Sequence, residues 1–202
     1  MPRSNKKIEK TELLAVISGP SGVGKSTVVS ELLKVLPQAK LSVSYTTRNP
    51  RPKEKNGDHY FFVSLPRFQK MAKEGAFLEW ANVHGALYGT PKDFVIKELK
   101  QSTTIVLEVD VQGALSIKKK VEEGAFFGKT VFIFLIPPSV DILACRLRKR
   151  RTEDAEIMNQ RLRNAMAELK LMEQYDYIVV NDKVDHAAQK IKAIIKVEKE
   201  RI

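Results

Sequence analysis

The residues best suited to chemistry stand close together near the N-terminal end. Gly19-Pro20-Ser21-Gly22-Val23-Gly24-Lys25-Ser26 fits the pattern G-x-x-x-x-G-K-[ST]. Glycines at these positions let successive main-chain N–H groups turn inward, and a helix starting at the end of the loop adds positive potential, so backbone can wrap a polyphosphate. In such a loop Lys25 bridges the β- and γ-phosphates and Ser26 ligates Mg²⁺. The loop follows an apolar run, LLAVIS at 13–18, and precedes a helical pattern, which is the context the mechanism requires. Binding of ATP or GTP follows; the acceptor of the phosphoryl group does not.

A second feature lies in TTRNPRPKE (46–54), where Arg48 and Arg51 stand three residues apart among prolines. Guanidinium forks bind phosphate oxygens bidentately, and Pro50 and Pro52 pre-set φ angles, lowering the entropy cost of holding the arginines in place. A solvated basic turn is the usual reading of an isolated Arg-x-x-Arg, so the surrounding chain has to decide.

The elements that must position these groups read as α/β. Apolar runs at 13–18, 103–109, 130–136 and 177–180 predict buried parallel strands, and helical patterns at 25–36, 92–101, 112–122, 139–150, 154–174 and 185–200 alternate with them. In the segment 154–174, Ile157, Leu162, Ala165, Met166, Leu169 and Met172 form an apolar stripe at helical spacing, expected to pack on the core. Residues 41–90 break the alternation: strand-like pieces at 60–63 and 77–81 flank a helical piece at 66–74, predicting a small inserted β-rich lobe. The stretch 146–163 concentrates seven basic residues against three acids and reads as a basic flap.

With 202 residues the chain is sized for one well-buried core. Its 35 lysines and arginines against 24 acids give a net charge of +11, which favours anionic partners. The single cysteine, Cys145, excludes an internal disulfide framework and reads as a buried, inert thiol. No apolar run has the length of a signal-peptide core or a membrane span, so a soluble, cytoplasmic protein without a membrane partner is expected.

Taken together, GPSGVGKS, TTRNPRPKEKNGDHYFFV (46–63), FLEWANVHGALYGT (77–90), LEVDVQGA (107–114), IPPS (136–139), RLRKRRTEDAEIMNQRL (146–162) and VNDK (180–183) closely resemble the guanylate kinases, in the family's order and over nearly the whole chain. The resemblance implies a P-loop nucleotide kinase with a parallel central sheet flanked by helices. It divides the chain into a core (11–40, 92–144 and 165–202), a GMP-binding lobe (41–91) and a helical lid (145–164). It further implies transfer of the γ-phosphoryl group of ATP to GMP, and to dGMP, giving ADP and GDP for purine nucleotide metabolism and GMP recycling. The cofactor is Mg²⁺, the partners are the small molecules ATP and GMP without nucleic acid, and the assembly is a monomer or a homodimer.

Site residues carry over by position. Gly19 through Thr27 bind ATP, with Asn181 and Asp182 in the adenine pocket. Ser44, Glu79 and Thr90 read guanine, whose O6 acceptor and N1–H and N2–H₂ donors call for a hydroxyl beside a carboxylate. Adenine would instead present a lone pair to Glu79, a mismatch worth on the order of 10⁴-fold in selectivity. Arg48, Arg51, Tyr60 and Tyr88 hold the GMP phosphate, and Glu54 orients an arginine. Arg150 and Arg161 are the lid arginines that reach the phosphates, with Arg146 a weaker third. Glu108 and Asp110 also belong to the GMP-binding set, and Asp110 makes a water-mediated Mg²⁺ contact or orients the site. Two departures stand out: Glu108 where the family often has aspartate, and Arg151 where the lid commonly has glycine. A catalytically silent interaction module would not need the intact phosphate loop. A basic RNA-binding ATPase rests on net charge alone, without the aromatic stacking motifs of RNA readers.

Overall fold

The first apolar run forms β1 (Leu13–Ser18), buried along its whole length. Its side chains alternate between two cores, as strand geometry dictates. Leu13, Ala15 and Ile17 pack against α1 (Lys25–Val35) and α7 (Val184–Glu200), while Leu14 and Val16 face the opposite layer, which includes α3 (Lys92–Leu99) and α4 (Val111–Glu122). The sheet is five-stranded and parallel, in the order β2-β7-β1-β8-β9, with β2 at Ala39–Leu41, β7 at Thr104–Glu108, β8 at Lys129–Ile136 and β9 at Tyr177–Val180. Because β7 lies between β1 and β2 while β8 lies on the other side of β1, the strand order reverses at β1. Doubly wound sheets place ligands at the C-terminal ends of the strands beside such a reversal. The phosphate loop leaves β1 there, and Glu108 and Asp110 leave β7 next to it.

The computed structural model describes residues 12–83, 85–101, 103–125, 128–148 and 155–201, without side-chain detail at 155–158. Between β2 and α3 the chain builds a second sheet in the order β4-β3-β6-β5, from β3 (Tyr45–Thr46), β4 (Phe61–Phe62), β5 (Phe77–Val83) and β6 (Ala86–Pro91), with α2 (Leu65–Lys73) packed on β5. A stack of Phe68 on Phe77 forms its small core, and Gly89 lies beneath both rings, where a Cβ would come within 2.9 Å of Phe77. β2 and β6 are strands that hydrophobic periodicity does not predict. The opposite end of the chain forms α5 (Val140–Arg148) and α6 (Ala155–Leu169), which meet through Leu143, Leu147 and Ala165.

Three expectations change. The helix predicted over 154–174 ends at Leu169, and Met172 lies in a separate 3₁₀ turn at Met172–Gln174. Met166 is exposed rather than part of the packed stripe. Cys145 is also exposed, because α5 turns Leu143 and Leu147 inward and the thiol falls on its outer face. Among the described residues, no helix is long and apolar enough to cross a membrane.

Candidate active site

A cleft of about 420 Å³ joins the phosphate loop to the inserted sheet. At one end it is lined by Gly19, Ser21, Gly22, Gly24, Lys25 and Ser26; at the other by Ser44, Arg48, Arg51, Tyr60, Glu79 and Tyr88. Glu108 and Asp110 form the floor between them, and Arg161 and Glu168 of α6 border it.

The loop's shape depends on glycine at two positions in particular. Gly19 has φ +147°, and a Cβ there would lie 2.4 Å from the Leu135 carbonyl oxygen. Gly24 caps α1 in the left-handed region at φ 97°, with room for a Cβ blocked by Asn181 Nδ2 at 2.8 Å. The Lys25 ammonium folds back over the loop and donates to the carbonyls of Gly19 (2.6 Å) and Pro20 (3.3 Å). From behind, Asn181 Nδ2 donates to the Val23 carbonyl at 2.7 Å, and Arg146 donates to the carbonyls of Val23 (3.0 Å) and Asn181 (3.1 Å).

These contacts bear on two of the expected site residues. Asn181 is only 2% exposed, and its amide N–H₂ braces the loop. Arg146 is directed at the loop carbonyls. Asp182 is exposed, 3.8 Å from His186. Pro20, Val23 and Thr27 shape the loop and the first turn of α1 without lining the cleft. Arg150 and Arg151 lie outside the described residues.

The longer side chain at Glu108 has a partner: the Ser26 hydroxyl donates to its Oε1 at 2.5 Å. Asp110 caps α4, accepting from the Gly113 N–H at 2.8 Å. Burial pushes its carboxyl above the ordinary range, against the pull of that bond and of Lys25. A hydroxyl and a carboxylate facing a polyphosphate loop are the hard oxygen donors that suit Mg²⁺, which keeps several waters and takes substrate phosphate oxygens. Among the described residues no group of three His, Cys, Asp or Glu is placed to hold a metal ion by itself.

In the inserted sheet Glu54 organises the arginine loop. Its carboxylate takes two parallel bonds from Arg48, at 2.9 Å each, and one from the Arg51 main-chain N–H at 2.7 Å. These bonds outweigh partial burial and hold Glu54 below the usual carboxylate range, while Arg48 is kept firmly charged. Arg48 Nε also donates to the Tyr88 hydroxyl at 3.1 Å, and its guanidinium lies 5.5 Å from the centre of the Tyr60 ring. Burial, followed by the charge of Glu108, raises the Tyr60 hydroxyl well above its ordinary pKa. The Arg51 side chain is 57% exposed, its nearest acid oxygen 3.9 Å away, so it points more freely toward solvent than Arg48.

Glu79 is 5% exposed, not the solvated strand residue that alternation would suggest. The β5–β6 register shifts between Phe77 and Glu79, and this bulge turns Phe77, Leu78 and Glu79 all inward. The Thr90 hydroxyl, opposite on β6, donates to Glu79 Oε1 at 2.6 Å. Burial raises the carboxyl to a pKa of about 7; Asp110 adds to the rise, while Thr90 and Lys120 oppose it. Glu168 is the site residue that sequence reasoning missed. It accepts from the Ser21 N–H at 3.3 Å, and burial raises its carboxyl. It stands two helical turns beyond Arg161 on α6, so the spacing from that arginine was the available signal.

A polyphosphate loop and an anion-gripping second lobe meeting in one cleft define a P-loop phosphotransferase that handles two ligands at once. The sequence model of the family described as Guanylate kinase matches residues 11–198. The guanylate kinase of Caldanaerobacter subterraneus subsp. tengcongensis is 49% identical over 195 residues, covering 96% of this chain and 92% of its own, and that of Thermotoga maritima is 44% identical over 94% and 88%. The crystal structure of guanylate kinase from Anaplasma phagocytophilum superposes with a TM-score of 0.77 at 31% identity, covering 95% of this chain and 88% of that one. The chain belongs to the guanylate kinase family.

Proposed function

We propose that this cleft transfers the γ-phosphoryl group of ATP to GMP, with each end of the cleft holding one nucleotide. The observation that carries the reading is the continuity of the phosphate loop with a pocket ending in a buried carboxylate, Glu79, beside the Thr90 hydroxyl. A carboxylate there matches the paired N1–H and N2–H₂ donors of guanine, and Ser44 supplies a hydroxyl for O6. Arg48, pre-oriented by Glu54, grips the GMP phosphate with Tyr60 and Tyr88, and Arg51 swings in from solvent. Asp182 borders the adenine end.

An oxygen of the GMP phosphate forms the new bond to the γ-phosphorus as the bond to the β-phosphate oxygen breaks, releasing ADP. The attacking phosphate has a second pKa of about 6, so it arrives ionised and needs no protein base. The work of the chain is alignment and charge compensation. Lys25 leaves the loop carbonyls for the β- and γ-oxygens, and Arg161 and Arg150 approach from the lid side. Mg²⁺, held by Ser26 with Glu108 and Asp110 adjoining, supplies further neutralisation of phosphate charge when bound. Coupled assays with ATP and a panel of GMP, AMP, UMP and CMP test the reading: turnover should be confined to GMP and its deoxy form, and equal turnover of AMP would overturn it.

A further inference from the structure

Helix α4 carries a glycine that helix formation does not ask for. Gly113 lies in the first turn, buried, and is not among the residues with positive φ, so alanine would be the better helix former at this position. Space explains the choice. A Cβ on Gly113 would fall 2.8 Å from Glu79 Oε2, closer than Cβ atoms come, and a tight 3.2 Å from its carboxyl carbon. The other near neighbour, Asp110 Oδ1 at 2.9 Å, is already the acceptor of the Gly113 N–H.

The same face of α4 holds β5 again two turns on, where the Lys120 ammonium donates to the Leu78 carbonyl, next to Glu79 in sequence. From the other side Glu79 is fixed by Thr90. The carboxylate is therefore seated between β6 of the inserted sheet and a bare patch of backbone on a core helix. A methyl group on Gly113 would press Oε2 away from α4 while Thr90 holds Oε1.

We propose that Gly113 is a specificity-determining positioning residue: its missing side chain forms the seat that sets the Glu79 carboxylate at the height where it meets the guanine edge. The proposal rests on the reading that Glu79 recognises guanine. It makes a residue of the core, which touches no substrate, responsible for base selectivity in the lobe.

The test compares wild type, Gly113→Ala, Glu79→Gln and the double variant for kcat and KM with GMP, AMP and ATP. Gly113→Ala should raise KM for GMP and lower the GMP-over-AMP preference by about 10²-fold, the loss expected of a recognition group displaced by about 1 Å. KM for ATP should change less than KM for GMP, since the nearest contact of the Cβ is with Glu79 Oε2 at 2.8 Å. In the Glu79→Gln background the glycine substitution should add little further loss of selectivity, because both act through one group. Unchanged selectivity in Gly113→Ala, or losses that add fully, would overturn the proposal while leaving guanine reading by Glu79 intact. Unchanged selectivity in Glu79→Gln alone would overturn that reading, and the proposal with it. Should Gly113→Ala fail to fold, Glu79→Asp with and without Gly113→Ala decides the matter. The shorter acid clears the methyl, so the pair should match each other; a pair of which only the single variant folds refutes the seat.

Discussion

Glu79→Gln is expected to make the protein more stable and less selective at the same time. The ordinary glutamate value of 4.5 is raised to about 7 in the fold, chiefly by burial. The native state thus holds this proton more tightly than the unfolded chain does, so stability falls as pH rises from about 4.5 to about 7 and levels off above. At 1.4 kcal/mol per unit, the penalty grows by about 2 kcal/mol between pH 5.5 and pH 8. Glutamine cannot ionise and escapes it, while its amide oxygen can still accept from Thr90. Urea unfolding of the ligand-free wild type and variant should therefore show the variant's relative stability rising by about 2 kcal/mol across that window. Other titrating groups are common to both proteins and cancel, and Asp110, relieved of a like charge, shifts in the same sense. Two charge-assisted hydrogen bonds to guanine would be weakened, so kcat/KM for GMP should drop by about 10²-fold. A stability difference that is flat with pH, or that falls as pH rises, would refute the placement of a strained ionised carboxylate at the guanine end.

Three further substitutions probe the rest of the cleft. Lys25→Ala should reduce kcat by about 10³-fold or more, with a smaller effect on melting temperature because the ammonium's bonds to the Gly19 and Pro20 carbonyls lie at the surface of the cleft. Glu54→Gln unties the Arg48 fork and should raise KM for GMP by roughly tenfold with kcat nearly unchanged, as steady-state kinetics would record. Gly24→Ala must adopt a left-handed conformation and push into Asn181, so it should cost about 2 kcal/mol in denaturant unfolding and weaken ATP binding by calorimetry.

Sequence reading reached what is local or strongly patterned. The buried runs of β1, β7, β8 and β9 announce themselves because both faces of a parallel strand are apolar. β2 has only one buried residue among its three and sits at the sheet's edge, so neither pattern nor length reveals it. β6 reads as a turn because it contains Gly89 and Pro91. Only the rings of Phe77 and Phe68 above Gly89 show why a strand there lacks a side chain. The same limit applies in the site. Lys25 and Ser26 are legible because one contiguous loop makes the phosphate cradle. Glu168 depends on how α6 docks against Ser21, and Gly113 on how α4 meets β5, so their meaning lies in neighbours distant along the chain. Asn181 shows the converse: its position after β9 suggests a nucleotide contact, while only the fold reveals that its amide N–H₂ donates to the Val23 carbonyl.

The acids of the cleft give a physical reason for its behaviour without ligand. The inserted sheet contributes Glu79, the core Asp110, and α6 Glu168, and burial lifts all three above the ordinary carboxylate range. Asp110 raises both of the others through like charge, so the three parts of the fold meet at groups that repel one another once ionised. The hydrogen bonds from Thr90, Gly113 and Ser21 oppose the rise without cancelling it, and Lys25 favours ionisation of Asp110 and Glu168 while its ammonium is bound to loop carbonyls. Near neutral pH the empty cleft is therefore where the fold is least content with its own charges. On the proposed reading, guanine donors would add to the single bond Glu79 accepts from Thr90, and ligand binding stabilises the native state in proportion to the logarithm of ligand concentration over Kd. The proposed selectivity would follow from the same source, since AMP brings a lone pair to Glu79 and adds no donor to the one Thr90 supplies.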